Sequence, residues 1–413
     1  MQALAAHSPP RKRRPWIVAV VIVAVVAVGV GVAFAVTGGS SGGTGATAVD
    51  SGGSSGSGSG SGSKSGSGTG PTGGSSGGGA ADNKPLTVLS VTPAHGTKDV
   101  ASNTTITVRF SAPLAKGGHM PTLSPPVSGA WTRPSPTTLT FQPTAPFIPA
   151  TTETLTIPDG PSGLTGTGGQ HLESTAPVTF TIAQGSTTRL QQLLGLLGFL
   201  PLAYTEPTPA PAPQDMAMPQ SGTLSWRWPG MPTQLTSLWV QGSPNMITKA
   251  AIETFESQNG LTVDGLAGPK VWAALLADVA SGKGDTTPWD YVLVTKTQPQ
   301  HLTVWVDGTL KFANIPVNTG APGADTVDGT FAVFEHVKAS EMKGTNVTGS
   351  TYTDPTVPWA SYFNGGDALH GFPRAHYGYP QSNGCVEMNI TTAGNVWPYT
   401  PVGTLVTVQG PSS

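Results

Sequence analysis

Cysteine is nearly absent from this chain, since Cys385 is the only one in 413 residues. A single cysteine excludes an intrachain disulfide framework and any metal site built on paired cysteines. Charge is also scarce: Asp, Glu, Lys and Arg make up 10% of the residues and the net charge is −2. Outside the first fifteen residues there is no cluster of basic residues, which argues against nucleic acid as a partner.

Glycine and proline, in contrast, are abundant, with 55 and 39 copies. Together with the low charge, this composition is typical of extracellular chains in which β-rich modules are joined by linkers. The length predicts about two to three domains. We therefore expect a multidomain, mainly β protein.

The long apolar run of the chain lies near its N-terminus. Residues 16–36 are 21 residues without a charge, and at ~1.5 Å rise per residue they can span a bilayer core. Four basic residues precede the run and none follows until Lys64. The positive-inside rule then places residues 1–15 in the cytoplasm and everything after residue 36 outside the cell, with residues 16–36 as a membrane anchor. A cleaved signal peptide is the alternative, because residues 33–35 resemble a cleavage site, but signal-peptide cores run only about 7–15 residues.

The next two segments are predicted to be a linker and a β-sandwich. Residues 37–84 are nearly all Gly, Ser, Thr and Ala, and such a composition gives a flexible, disordered linker. Residues 85–184 contain short runs of alternating apolar and polar residues between Pro/Gly turns, which predicts the sandwich. These runs are 105–110, 138–141, 154–157 and 178–182. The stretches 91–96 and 108–111 resemble bacterial immunoglobulin-like (Ig-like) domains, which implies a spacer.

Helical periodicity begins after residue 185. Four leucines between 190 and 197 share one helical face, a second apolar face ends near Gly260, and Pro269 suits the first position of a third helix. Residues 185–283 resemble a small three-helix peptidoglycan-binding module. An insertion at 201–237 interrupts it, and its two tryptophans, Trp226 and Trp228, could stack on sugars or complete a small core.

Residues 284–413 return to a β pattern. Strands are predicted at 291–294, 302–306, 331–334 and 405–408, with a hairpin turn at Asp307-Gly308. Residues 367–390 lie between the last two of these strands. Because this segment is rich in Gly and Pro, we expect it to be a loop.

The chemistry-bearing residues lie within that segment. It reads Asp367-Ala368-Leu369-His370-Gly371-Phe372 and later Ser382-Asn383-Gly384-Cys385-Val386-Glu387-Met388. A lone thiol near a histidine suggests nucleophilic acyl chemistry. The 14 residues between His370 and Cys385 fit the spacing of the YkuD-type L,D-transpeptidases, and residues 285–409 resemble that family.

The resemblance implies specific roles. Cys385 would be the nucleophile and His370 its general base, and we expect a thiolate–imidazolium pair that lowers the pKa of the thiol. Backbone N–H groups at Gly384 and Cys385 would bind the oxyanion, with Ser382 and Asn383 in support. The carbonyl of Gly371 would fix the tautomer of His370.

Two residues depart from the family pattern. Asn383 stands where the family usually has His, and an amide cannot shuttle protons. Glu387 stands where the family often has Arg, which would alter recognition of the donor's carboxylate. Weaker candidates for substrate contact are Trp359, Tyr362, Phe372, Arg374 and Tyr377.

The resemblance implies an enzyme that crosslinks peptidoglycan at the cell surface through an acyl-enzyme thioester on Cys385, with a tetrapeptide stem as donor. No metal and no organic cofactor is expected, because His370, His376 and Cys385 lack the spacing of a zinc site. Two alternatives remain. One is a cysteine L,D-carboxypeptidase in which water takes the acyl group; the other is a wall-binding scaffold with impaired catalysis.

Overall fold

The computed structural model describes residues 84–410. The predicted anchor at 16–36, and all of the predicted linker except its last residue, lie outside these residues. Within 84–410, no helix has both the length and the apolar character needed to cross a bilayer.

The first part of the described chain is a sandwich of two β-sheets, as predicted. Its strands are β1 (Val88–Thr92), β2 (Ile106–Phe110), β3 (Thr122–Ser124), β4 (Gly129–Ser135), β5 (Thr138–Pro143), β6 (Thr152–Thr156) and β7 (Val178–Thr181). The sheets have the orders β1-β2-β5-β4 and β3-β6-β7. Alternate side chains of both sheets, among them Phe110, Leu155 and Phe180, are buried in one shared hydrophobic core.

The second part is helical, but it has more elements than the three helices expected. It contains α1 (Thr187–Leu197), β8 (Leu202–Thr205), β9 (Thr223–Trp226), α2 (Thr233–Thr236), α3 (Met246–Gln258) and α4 (Pro269–Ser281). The three long helices α1, α3 and α4 are those that the sequence predicts, and Pro269 opens α4. The insertion adds the short helix α2 and a hairpin of β8 and β9. These elements were not predicted, because the Pro-rich sequence of the insertion has no periodic pattern of apolar residues.

The tryptophans of the insertion pack inward. Trp226 and Trp228 both lie against the buried core of the helical part. The ring centres of Trp228 and Trp289 are 6.0 Å apart. The guanidinium carbon of Arg227 lies 4.3 Å from the centre of the Trp228 ring. Trp228 also approaches Gly308 so closely that a Cβ there would overlap its ring. The insertion therefore completes a core. Of the two roles considered for its tryptophans, stacking on sugars and completing a small core, the structure agrees with the second.

The third part is built on two further sheets. Its elements are β10 (Asp290–Thr295), β11 (His301–Val306), β12 (Thr309–Pro316), β13 (Gly329–Ala332), β14 (Glu335–Thr345), β15 (Thr351–Asn364), β16 (Asp367–Gly371), β17 (Val386–Met388), α5 (Ile390–Val396) and β18 (Leu405–Gln409). One sheet has the order β12-β11-β10-β18-β13 and the other β14-β15-β16-β17. Asp307 and Gly308 both have positive φ, at 45° and 70°, as the predicted tight hairpin turn requires.

The prediction of a loop over 367–390 is correct for residues 372–385 and wrong at both ends of the segment. This segment contains the strands β16 and β17 as well as the start of α5. Four of the five residues of β16 and all three of β17 are buried. Strands that are covered on both faces do not alternate between apolar and polar residues, so the period-two signal was absent from the sequence.

Candidate active site

The pairing of β16 with β17 brings the histidine and the cysteine together. The two strands are parallel, with Leu369 opposite Val386 and His370 opposite Glu387. Leu369 and Val386 point into the hydrophobic core. Side chains alternate along a strand, so His370, Glu387 and the preceding Cys385 all point to the other face. There they line one cleft of about 200 Å³.

The turn before Cys385 is held by hydroxyl groups. The Thr326 hydroxyl donates to the carbonyl of Gly384 at 2.6 Å, and the Ser382 hydroxyl donates to the carbonyl of Cys385 at 2.6 Å. Gly384 has φ of 118°, which a residue with a Cβ rarely adopts. Each of these contacts fixes the backbone from which the thiol projects.

One of the two expected oxyanion donors is already occupied. The N–H of Gly384 donates to Ser382 Oγ at 3.2 Å instead of pointing free into the cleft. Ser382 is buried, whereas Asn383 is exposed and lines the cleft. Ser382 therefore supports the turn, whereas its neighbours Asn383 and Cys385 line the cleft.

His370 is in a neutral, oriented state. It is 3% exposed, and burial lowers the pKa of its imidazole. Its Nδ1 lies 3.2 Å from the carbonyl oxygen of Gly371, the contact that the sequence predicted. A carbonyl can only accept, so Nδ1 carries the proton and Nε2 keeps the lone pair of a base.

The expected thiolate–imidazolium pair is not formed. Burial raises the pKa of the Cys385 thiol to about 12, and the nearby negative charges of Asp367 and Glu387 act in the same direction. The thiol donates to the Gly366 carbonyl at 3.6 Å rather than to His370. The prediction of a lowered thiol pKa was therefore wrong for the free protein, because it considered the imidazole and neither the burial of the thiol nor the nearby carboxylates.

This state of the thiol predicts how Cys385 reacts with iodoacetamide. Only the thiolate is alkylated, and far below its pKa the thiolate fraction rises tenfold for each pH unit. Alkylation of the wild type should therefore accelerate steadily from about pH 6 to about pH 10 without a plateau. Mass spectrometry of timed samples measures the rate, with free cysteine as a control that levels off above about pH 8.5. A plateau below about pH 7 would reveal a preformed ion pair and contradict this account.

A bidentate ion pair forms one wall of the cleft. Arg374 Nε and a terminal guanidinium nitrogen donate to the two carboxylate oxygens of Glu387, each at 2.7 Å. Glu387 is 4% exposed, and its hydrogen bonds raise the pKa of Arg374. The guanidinium also lies 4.7 Å from the centre of the Phe372 ring. The carboxylate found where the family often has an arginine is thus neutralised by an arginine from another position.

The opposite wall comes from residues that the sequence analysis missed. The hairpin of β14 and β15 contributes Met342, Tyr352, Asp354 and Val357, and its turn contributes Asn346. Burial raises the pKa of the Tyr352 hydroxyl, which hydrogen-bonds to Asn383. These residues belong to no sequence motif, and only the pairing of β14 with β15 and of β15 with β16 brings them to the cleft.

Of the weaker candidates, Phe372 and Arg374 line the cleft, whereas the other three do not. Trp359 packs against Trp397 with ring centres 5.5 Å apart. Tyr362 hydrogen-bonds to the Ser340 hydroxyl at 2.8 Å. Tyr377 donates to the carbonyl of Phe372 at 2.6 Å and so braces the turn that carries Arg374.

Within residues 84–410, no group of three or more His, Cys, Asp or Glu side chains is arranged to hold a metal ion. His376 is exposed and is not part of the cleft wall.

Comparison with known families assigns each part of the described chain. Residues 290–408 match the L,D-transpeptidase catalytic domain (YkuD), residues 82–182 match a bacterial Ig-like domain, and residues 242–275 match a peptidoglycan binding domain. The three matches follow the order expected from the sequence. No similar sequence was found among curated proteins.

Several solved structures are similar to this chain. An L,D-transpeptidase from Mycobacterium smegmatis is 14% identical, with a TM-score of 0.28, and the alignment covers 79% of this chain and 100% of that one. L,D-transpeptidase 3 from Mycobacterium tuberculosis is 14% identical, with a TM-score of 0.27 and coverage of 78% and 99%. The catalytic domain of the E. faecium L,D-transpeptidase is 23% identical, with a TM-score of 0.27 and coverage of 30% and 100%.

The family matches agree with the cleft described above, since His370 and Cys385 both lie inside the segment 290–408. The peptidoglycan binding domain and the transpeptidase domain both indicate peptidoglycan as the partner. The chain therefore carries an L,D-transpeptidase catalytic domain, which makes it an enzyme with a role in peptidoglycan crosslinking, and an Ig-like domain and a peptidoglycan binding domain precede that domain.

Proposed function

We propose that this enzyme forms peptidoglycan crosslinks through a thioester on Cys385, with a tetrapeptide stem as the acyl donor. The observation that carries the proposal is the register of β16 and β17, which points Cys385 and His370 into the same cleft. Nucleophilic catalysis needs a base near the nucleophile, and His370 and Cys385 line the same cleft.

The acylation step begins from a neutral thiol and a neutral imidazole. The sulphur attacks the carbonyl carbon of the third stem residue as its proton passes to Nε2 of His370. The tetrahedral oxyanion is stabilised by N–H donors, for which the backbone of Cys385 and the amide of Asn383 are the candidates among the residues that line the cleft. When the C–N bond breaks, His370 returns the proton to the departing amine of the terminal D-alanine, which leaves a thioester on Cys385.

The transfer step consumes the thioester. An amine of a second stem attacks the thioester carbonyl and gives up a proton to His370. The C–S bond breaks, the new amide forms the crosslink, and the sulphur recovers a proton from His370. Cys385 and His370 end in the states in which they began, so the cycle needs no cofactor.

Product analysis tests this proposal against the hydrolytic alternative. The purified full chain is incubated with a tetrapeptide stem, and the products are separated and weighed by mass spectrometry. We expect crosslinked dimers and free D-alanine. Tripeptide without dimer would mean that water accepts the acyl group, and the enzyme would then be a carboxypeptidase. No release of D-alanine would leave only a wall-binding scaffold.

We further propose that the catalytic domain works outside the cell, tethered by residues 16–36. The support is the uncharged 21-residue run that follows a basic cluster. Peptide mapping of the protein from washed membranes provides the test. Recovery of peptides from residues 1–15 would support a retained anchor, and a mature chain that starts after residue 35 in the soluble fraction would refute it.

A further inference from the structure

The cleft carries one more negative charge than its cations balance. Arg374 is its one cationic side chain, and both carboxylate oxygens of Glu387 occupy it. Asp354 also lines the cleft, yet its carboxylate makes no hydrogen bond or ion pair within residues 84–410. His370 is neutral, so it does not offset this charge. The cleft is therefore electrostatically suited to a cationic group.

Asp354 is well placed to meet such a group near the reacting atoms. It lies on β15 opposite Met342 of β14, and it is partly buried. It lines the same cleft as His370 and Cys385. Burial lowers the pKa of His370, and the negative charge of Asp354 opposes that effect. A carboxylate in a partly desolvated cleft interacts more strongly with a cation than one at an open surface does.

We propose that Asp354 determines donor specificity by binding the side-chain ammonium of the third residue of the donor stem. This inference rests on the proposed function, in which Cys385 attacks the carbonyl of that residue. The side chain attached next to the reacting carbonyl must then lie in the same cleft.

The order of the reaction favours the donor over the acceptor as the source of the ammonium. The donor enters first and remains covalently attached when the acceptor arrives. Asp354 is thus already engaged with the donor during the transfer step.

A matched pair of peptides and variants tests this inference. Tetrapeptides with lysine or norleucine at the third position differ in the ammonium and keep nearly the same carbon chain. The rate of D-alanine release is measured in a single turnover with the full-length wild type, D354N or D354E in excess over the peptide, because the lysine amine could otherwise act as an acceptor. E341Q is the control, because Glu341 lies on the same hairpin but is exposed and outside the cleft wall.

For the wild type we expect the lysine peptide to react about 10- to 100-fold faster than the norleucine peptide, the effect of one charge-assisted hydrogen bond. D354N should reduce the lysine rate to about the norleucine rate, so that the ratio falls to about one. D354E should restore part of the preference, and E341Q should keep the wild-type ratio. Covalent labelling of D354N by a carbapenem, whether fast or slow, shows that the variant is folded.

Three results would overturn the inference. Equal rates for both peptides with the wild type would remove the ammonium preference while leaving the acyl-transfer function intact. An equal slowing of both peptides by D354N would make Asp354 a structural residue only. A loss confined to transfer onto an acceptor amine would place the acceptor's ammonium at Asp354 instead. If neither peptide releases D-alanine from the wild type, the proposed function fails and takes this inference with it.

Discussion

Replacing His370 with glutamine is expected to slow acylation of Cys385 by about 10²- to 10⁴-fold, the range that a general base contributes. Glutamine can still donate to the Gly371 carbonyl, but it cannot accept a proton from the thiol. The effect should be large because the thiol has a pKa of about 12 and does not ionise by itself at neutral pH. The rate of D-alanine release from a tetrapeptide in a single turnover measures it.

The pH dependence of the same rate separates a base from a merely structural histidine. Burial lowers the pKa of His370, so the wild type should keep its activity into mildly acidic solution and lose it only when the imidazole becomes protonated. H370Q should lack this acidic limb. H376Q is the matched control, since His376 is exposed and outside the cleft wall. An H370Q rate close to that of H376Q would refute the role of His370.

A second large effect is expected for Gly384→Ala. Gly384 has φ of 118°, and a Cβ at this position would lie against a carboxylate oxygen of Asp367. Strained backbone of this kind costs about 1–3 kcal/mol, and the turn must shift to relieve it. Displacement of the nucleophile by about 1 Å lowers rates by about 10²-fold, so acylation should fall at least that far.

Two measurements on Gly384→Ala check this expectation: urea unfolding for stability and the rate of covalent labelling by a carbapenem. Gly366→Ala is the control for folding, because its φ is not positive and a Cβ there meets nothing within 4 Å. If Gly384→Ala unfolds and reacts like the wild type, the turn does not position Cys385 and this part of the account is wrong.

The sequence contained much of the fold and both central residues of the cleft. Elements that bury only one face could be predicted from the periodic pattern of their apolar residues. The strand β2 alternates between buried and more exposed residues, and the helix α3 buries one face. His370 and Cys385 were found through a spacing that a family resemblance made specific. The buried strands β16 and β17 were missed, since strands covered on both faces carry no alternation.

The electrostatics of the cleft could not be predicted, because they depend on pairings between distant segments. The raised pKa of the Cys385 thiol comes from burial and from carboxylates at positions 367 and 387. The ion pair of Arg374 with Glu387 joins residues 13 positions apart across a turn that no propensity describes. Asp354 reaches the cleft only through the register of a long hairpin. Each depends on tertiary structure that sequence periodicity does not encode.

The central claim is that Cys385 becomes acylated, and intact-mass analysis tests it most directly. The full-length protein is incubated with a carbapenem, whose strained lactam ring acylates nucleophiles, and is then weighed beside Cys385→Ala. We predict that the wild type gains the mass of one carbapenem and that Cys385→Ala gains none. An adduct of equal yield on Cys385→Ala, or an unmodified wild type, would contradict the account.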